Sequence, residues 1–133
     1  MPPVMSQTHA ELREILKTHS GLRQAIVFGS VAAGNAGPDS DLDIAVEADR
    51  ALRPADKTRL IEALAAATGR PVDLIDLRNA GGPLLGQILS RGHRILGSDA
   101  DYAALLRRHL FDEADFQPYI DRMLRERRQA WIG

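Results

Sequence analysis

LRQAIVF-GSVAAGNAGPDS-DLDIAVE, residues 22–47, reads as strand, loop, strand. The first seven residues are an apolar run bounded by glycines at 21 and 29, which is the pattern of a strand entering a core. The middle twelve are rich in Gly, Ser and Asn, with Pro38 near the end. That is loop chemistry, with room for one short helical turn after Ser30. In the last seven, Leu42, Ile44 and Val46 fall on one face of a strand spanning 41–47. Asp41, Asp43 and Ala45 fall on the other, because successive side chains alternate.

Outward from this segment, elements alternate. Residues 8–18 read as a helix, with Thr8 and Glu11 at the spacing of a capping box and Leu12, Ile15 and Leu16 as its apolar stripe. A helix is expected from Pro54 to Thr68, with proline at a first helical position and Gly69-Arg70-Pro71 ending it. PVDLIDL, residues 71–77, is a third strand. Gly81-Gly82-Pro83 precedes a short helix over 84–90, and HRIL, residues 93–96, is a short fourth strand. Ser98 and Asp101 cap a helix carrying Tyr102, Leu105, Leu106, His109 and Leu110. Residues 115–128 form a further helical stretch with Phe116, Ile120, Met123 and Leu124. This order is an α/β (α+β) mixture: helices packed on a small mixed sheet. No linker divides the chain, so residues 1–133 are expected to form one domain, with a core over 1–97 and a helical tail over 98–133.

Bulk properties narrow the function. The chain has 133 residues, 44% hydrophobic and 5% aromatic, enough for one modest aliphatic core. Seventeen basic and 18 acidic residues leave a formal charge of −1, which argues against capture of nucleic acid by bulk charge. With no cysteine, disulfides and thiolate metal sites are excluded. No apolar stretch is long enough to span a membrane. The start, MPPVMSQTHAELRE, lacks a signal-peptide pattern, so a cytoplasmic location is expected.

The chemistry sits in the opening segment. Asp41 and Asp43 project to one side with no basic residue between them, and a divalent cation relieves their repulsion. Mg²⁺ takes hard oxygen ligands, commonly one or two carboxylates plus phosphate oxygens. Taken alone, an Asp-x-Asp pair is most often a solvated strand end, and Gly-Ser an ordinary turn. Gly29 nevertheless lets the backbone approach a phosphate, and Ser30 adds a hydroxyl.

Together they make G-S-x10-D-x-D, the first half following one apolar strand and the second half set in another. This pattern resembles the signature of the DNA polymerase β-like nucleotidyltransferase superfamily. The short length, PVDLIDL, the RGHRILG stretch and the basic RERR ending at 125–128 look like the minimal nucleotidyltransferase (MNT) class, antitoxins encoded beside HEPN ribonuclease toxins. The resemblance implies a polymerase β-like fold and transfer of AMP from ATP to a tyrosine hydroxyl of the HEPN partner. It also implies a third strand acid. Asp73, inside the apolar run, is favoured over Asp76, which reads as a turn acid at the strand end. By the same implication, Asp41, Asp43 and Asp73 would be the catalytic and metal-binding acids. Two Mg²⁺ ions are expected with bound ATP, and Gly29 and Ser30 would hold the β- and γ-phosphates beside Asp41 and Asp43. Asp73 would also accept the nucleophile's proton. No direct contact with nucleic acid is expected.

One departure stands out. Relatives often read GSRARG, whereas this chain reads Gly29-Ser30-Val31-Ala32-Ala33-Gly34. Loss of both arginines keeps a binding-only antitoxin as an alternative. An adenylyltransferase acting on a small molecule is a further one, disfavoured by the short tail. His9, His19, His93 and His109 show no ligand spacing and read as structural. Asp39 reads as a turn former. Leu105, Leu106 and Ile120 are expected to pack on the chain's own sheet, and Trp131 is a candidate for partner contact.

Overall fold

The structure is a computed structural model. It describes the backbone of residues 7–132, and the side chains of 9–112, 122 and 124–126. The elements run α1 (Gln7–Lys17), β1 (Leu22–Phe28), α2 (Gly29–Ala33), β2 (Leu42–Ala48), α3 (Pro54–Thr68), β3 (Val72–Asp76), α4 (Gly82–Arg91), β4 (His93–Leu96) and α5 (Asp99–Ile132). This is the expected α/β order, with a four-stranded mixed sheet ordered β3-β2-β1-β4. β1 is antiparallel to β2 and β4, while β2 and β3 run parallel.

β2 is buried on both faces. Leu42, Ile44 and Val46 join Ala25, Val27, Leu12, Leu16, Leu60 and Leu64 in a layer under α1 and α3. Ala45 joins Ile26, Phe28, Leu85, Ile88 and Leu105 under α4 and α5. The strict alternation along β2 thus supplies both cores, and Asp43 is only half-buried because it lies near the strand's open end. Removing each large aliphatic side chain from water contributes about 1.5–3 kcal/mol.

Arginines lock the connections. Arg108 of α5 donates to the carbonyls of Leu77 (2.6 Å) and Ala80 (3.0 Å). Arg78 donates to the Ala48 and Asp49 carbonyls. Gln24, fully buried in β1, donates to Glu47 at 3.0 Å and to the Asp101 carbonyl at 3.2 Å, tying the start of α5 to the sheet.

Several expectations change. The two tail helices are one, spanning 34 residues. Pro118 falls inside it, although proline lacks the N–H of a helical bond. Asp41 precedes β2 rather than opening it. α1 has begun by Gln7, so Thr8 lies within the helix; the Thr8 side chain is outside the described residues. Leu105 packs inside as expected, but Leu106 is 39% exposed. Leu106 follows Leu105 directly, and adjacent helical residues point about 100° apart. The side chains of Phe116, Ile120, Met123, Arg127, Arg128 and Trp131 lie outside the described residues.

Candidate active site

The strand register brings the acids together. Asp43 pairs with Asp73 across the parallel β2–β3 ladder and with Phe28 across the antiparallel β1–β2 ladder. Residues paired in register share a face. Asp43 and Asp73 therefore stand side by side at one end of the sheet, level with the last residue of β1. Asp41 is exposed, immediately before β2. The electrostatics report the crowding. The Asp43 carboxyl is pushed above its usual range by burial first, then by the negative charges of Asp73 and Asp41, and by a carboxyl–carboxyl hydrogen bond with Asp73.

Asp76 is elsewhere. It pairs with Val46, whose side chain lies in the opposite core layer. It is 5% exposed. Its carboxylate accepts the Leu52 N–H at 3.3 Å and the Arg78 N–H at 3.0 Å. Asp76 is thus a loop-ordering acid, and Asp73 is the one that faces Asp43.

Gly29 fits the site by having no side chain. Its φ is +71°, and a Cβ there would sit 2.1 Å from a carboxylate oxygen of Asp43. Both facts require glycine. The backbone turns directly from β1 into α2, with Ser30 in its first turn and Gly34 ending it in the left-handed region at φ 79°. Val31 and Ala32 pack against the α1/α3 core layer. Of the two positions where the GSRARG pattern carries arginine, Val31 is partly buried and Ala33 is exposed.

Reading the sequence missed Arg70. Its Nη1 donates to the carbonyls of Gly37 at 2.6 Å and Ser40 at 3.0 Å, holding the loop that leads into Asp41. Nothing local in Gly69-Arg70-Pro71 reveals a contact with residues about thirty positions earlier. Asp39 and Ser40 are turn residues as expected: Ser40 N–H donates to the Gly37 carbonyl at 3.2 Å, and Gly37 N–H to Ser40 Oγ at 2.9 Å. His9 and His93 lie against each other, ring centroids 6.0 Å apart. A cavity of about 510 Å³, lined by His19, Asp49, Arg53 and Leu60 among others, opens at the far end of β2 and includes none of the three acids.

Among the described residues, no three acidic or imidazole side chains converge into a closed metal cage. The donor set is an open edge of hard carboxylate oxygens, with Asp43 and Asp73 side by side in register. It fits a cation that completes its shell with water and phosphate oxygens, as Mg²⁺ does, and not one needing a full protein cage.

Comparison with known proteins agrees with this geometry. The profile of the family described as "Polymerase beta, Nucleotidyltransferase" matches residues 10–101. A curated relative, the protein adenylyltransferase MntA of Shewanella oneidensis, is 36% identical over 80 residues. That alignment covers 60% of this chain and 58% of the relative, so it spans less than two thirds of that protein. A toxin–antitoxin crystal structure with AMP-PNP contains a chain of 28% identity and TM-score 0.70, covering 87% of this chain and 98% of that one. A structure of the tri-AMPylated Shewanella oneidensis HEPN toxin in complex with MNT antitoxin matches with TM-score 0.61 and 26% identity, covering 89% of this chain and 99% of that one.

Proposed function

The chain belongs to the polymerase beta nucleotidyltransferase family, and from that premise we propose that it is an antitoxin that transfers AMP from ATP to a tyrosine hydroxyl of a cognate HEPN ribonuclease toxin. The observation that carries this reading is the in-register pairing of Asp43 with Asp73 against the side-chain-free surface of Gly29. Support for the acceptor comes from the similarity to the antitoxin chain bound to a tri-AMPylated HEPN toxin. Support for the donor comes from the similarity to the complex with AMP-PNP, an ATP analogue.

In this proposal Asp41, Asp43 and Asp73 hold Mg²⁺, two ions with ATP bound. When bound, the metal neutralises phosphate charge and lowers the pKa of an attacking hydroxyl. The remaining steps belong to the chain. Gly29 and Ser30 bind the β- and γ-phosphates, using the backbone at the β1–α2 turn and the Ser30 hydroxyl. Asp73, exposed on the edge strand, accepts the proton of the tyrosine hydroxyl. The tyrosine oxygen forms a bond to the α-phosphorus as the bond to the pyrophosphate oxygen breaks, leaving AMP on the toxin. Leu106, Leu110 and Phe111 of α5, at 39%, 57% and 60% exposure, supply apolar surface for the partner.

A second reading has its own observation. Val31 and Ala33 stand where the GSRARG pattern carries arginine, which leaves α2 without a cation and favours neutralisation by binding alone. Incubating the adjacent gene's product with this chain, ATP and Mg²⁺, followed by intact-mass measurement, separates the two. AMP additions that vanish in the Asp41→Asn plus Asp43→Asn variant are expected. Inhibition of the partner without any added mass would replace transfer by binding.

A further inference from the structure

We propose that Arg70 is a positioning residue for Asp41, clamping the loop before that acid so that it stays near the Asp43–Asp73 pair; the inference rests on the nucleotidyl-transfer reading above. Arg70 occupies the junction between α3 and β3. Gly69 ends α3 in the left-handed region at φ 67°, and the Arg70 N–H donates to Thr68 Oγ1 at 3.3 Å. The backbone of Arg70 is therefore anchored before its side chain extends. The guanidinium then reaches across to a loop 30 to 33 residues earlier and holds the Gly37 and Ser40 carbonyls. The next residue completes the bracket: the Leu42 N–H donates to the Pro71 carbonyl at 2.8 Å. Asp41 thus has its preceding carbonyl held by Arg70 and its following N–H held by Pro71.

The loop needs this clamp. Residues 34–40 include two glycines, and Asp41 lies outside the β2 ladder. The strand register sets Asp43 against Asp73, but register alone does not place Asp41. A charged donor bonded to two carbonyls gives stronger, more directional bonds than water does. Arg70 Nη1 is committed to these two backbone oxygens, and through it the residue acts on the loop.

The test compares the full chain with Arg70→Ala and Arg70→Lys. Amide hydrogen exchange over residues 37–42, without nucleotide, is expected to accelerate in Arg70→Ala and to be intermediate in Arg70→Lys. Binding of Mn²⁺ alone, followed by electron paramagnetic resonance, is expected to weaken about 10–100-fold in Arg70→Ala, as for other residues that orient metal ligands. In the transfer assay kcat should fall while KM for ATP at saturating Mg²⁺ stays near the parent value. Unchanged exchange and unchanged Mn²⁺ affinity would overturn the proposal. A rise in KM for ATP alone would overturn it too, by making Arg70 a direct phosphate contact. Should Arg70→Ala not fold, Arg70→Lys carries the same measurements. If the parent chain transfers no AMP, the proposed function fails, while exchange and Mn²⁺ binding still decide the role of Arg70.

Discussion

Two residues shape the candidate site in opposite ways, Gly29 by what it lacks and Asp43 by its charge. A methyl at position 29 meets an Asp43 oxygen at 2.1 Å on a backbone with φ +71°. Gly29→Ala should cost at least about 1–2 kcal/mol from the left-handed backbone, and abolish transfer by displacing the Asp43 carboxylate. Thermal unfolding and the AMP-addition assay read both effects; wild-type transfer in Gly29→Ala would remove Gly29 from the site. Asp43 supplies the pH prediction. Its carboxyl is raised above the ordinary range in the folded chain, so the folded state binds that proton more tightly than the unfolded state. The resulting stabilisation is full below the unfolded carboxylate pKa and is lost as pH rises through the raised folded value. At neutral pH without metal the acid cluster therefore opposes folding. Asp43→Asn should raise Tm at pH 7, with the gain shrinking as pH falls through the carboxylate range. Mg²⁺ should raise Tm of the parent more than that of the variant. A lower Tm for Asp43→Asn at pH 7 in metal-free buffer would contradict this account.

β3 carries two acids of different use at the scale of the element. Asp73 faces Asp43, and Asp76, three residues on, faces the other core layer and orders the segment before α3. Asp76→Ala leaves two backbone N–H groups without their acceptor, which should destabilise by about 1–3 kcal/mol while sparing transfer below the lowered Tm. Asp73→Ala should do the reverse, abolishing transfer with little loss of Tm. Denaturant unfolding beside the transfer assay checks the pair, and matching phenotypes would refute the division. The same strand shows what was legible early. Period-two alternation predicts that Asp73 and Asp76 lie on opposite faces, and the resemblance, which implies an acid inside an apolar strand as in V-D-L, favours Asp73. The merging of two tail helices into α5 was not legible, because Pro118 reads locally as a break.

At the scale of the molecule, the sheet is covered on both faces, yet α5 leaves Leu110 and Phe111 more than half exposed. Among the described residues no helix is long and apolar enough to cross a membrane. Leu110→Glu with Phe111→Glu should leave Tm nearly unchanged, since surface substitutions usually shift stability by no more than about 0.5 kcal/mol. The same change should weaken capture of the HEPN partner while Mn²⁺ binding stays intact. Pull-down and calorimetry with the purified partner read this directly, and undiminished partner affinity would move the contact surface off α5.

The amino-acid sequence by itself determined the order of elements through β4 and the two faces of β2, which follow from short-range physics: side-chain periodicity and turn chemistry. The linked Gly29-Ser30 and Asp41/Asp43 set came from its resemblance to a family signature. Only the tertiary structure decided that Asp73 stands beside Asp43, that Asp76 is spent on backbone N–H groups, and that Arg70 holds the loop before Asp41. Each of those facts is a contact between segments separated by 24 to 30 or more residues. Pairing register and the reach of a guanidinium settle them, and neither leaves a local trace in the chain.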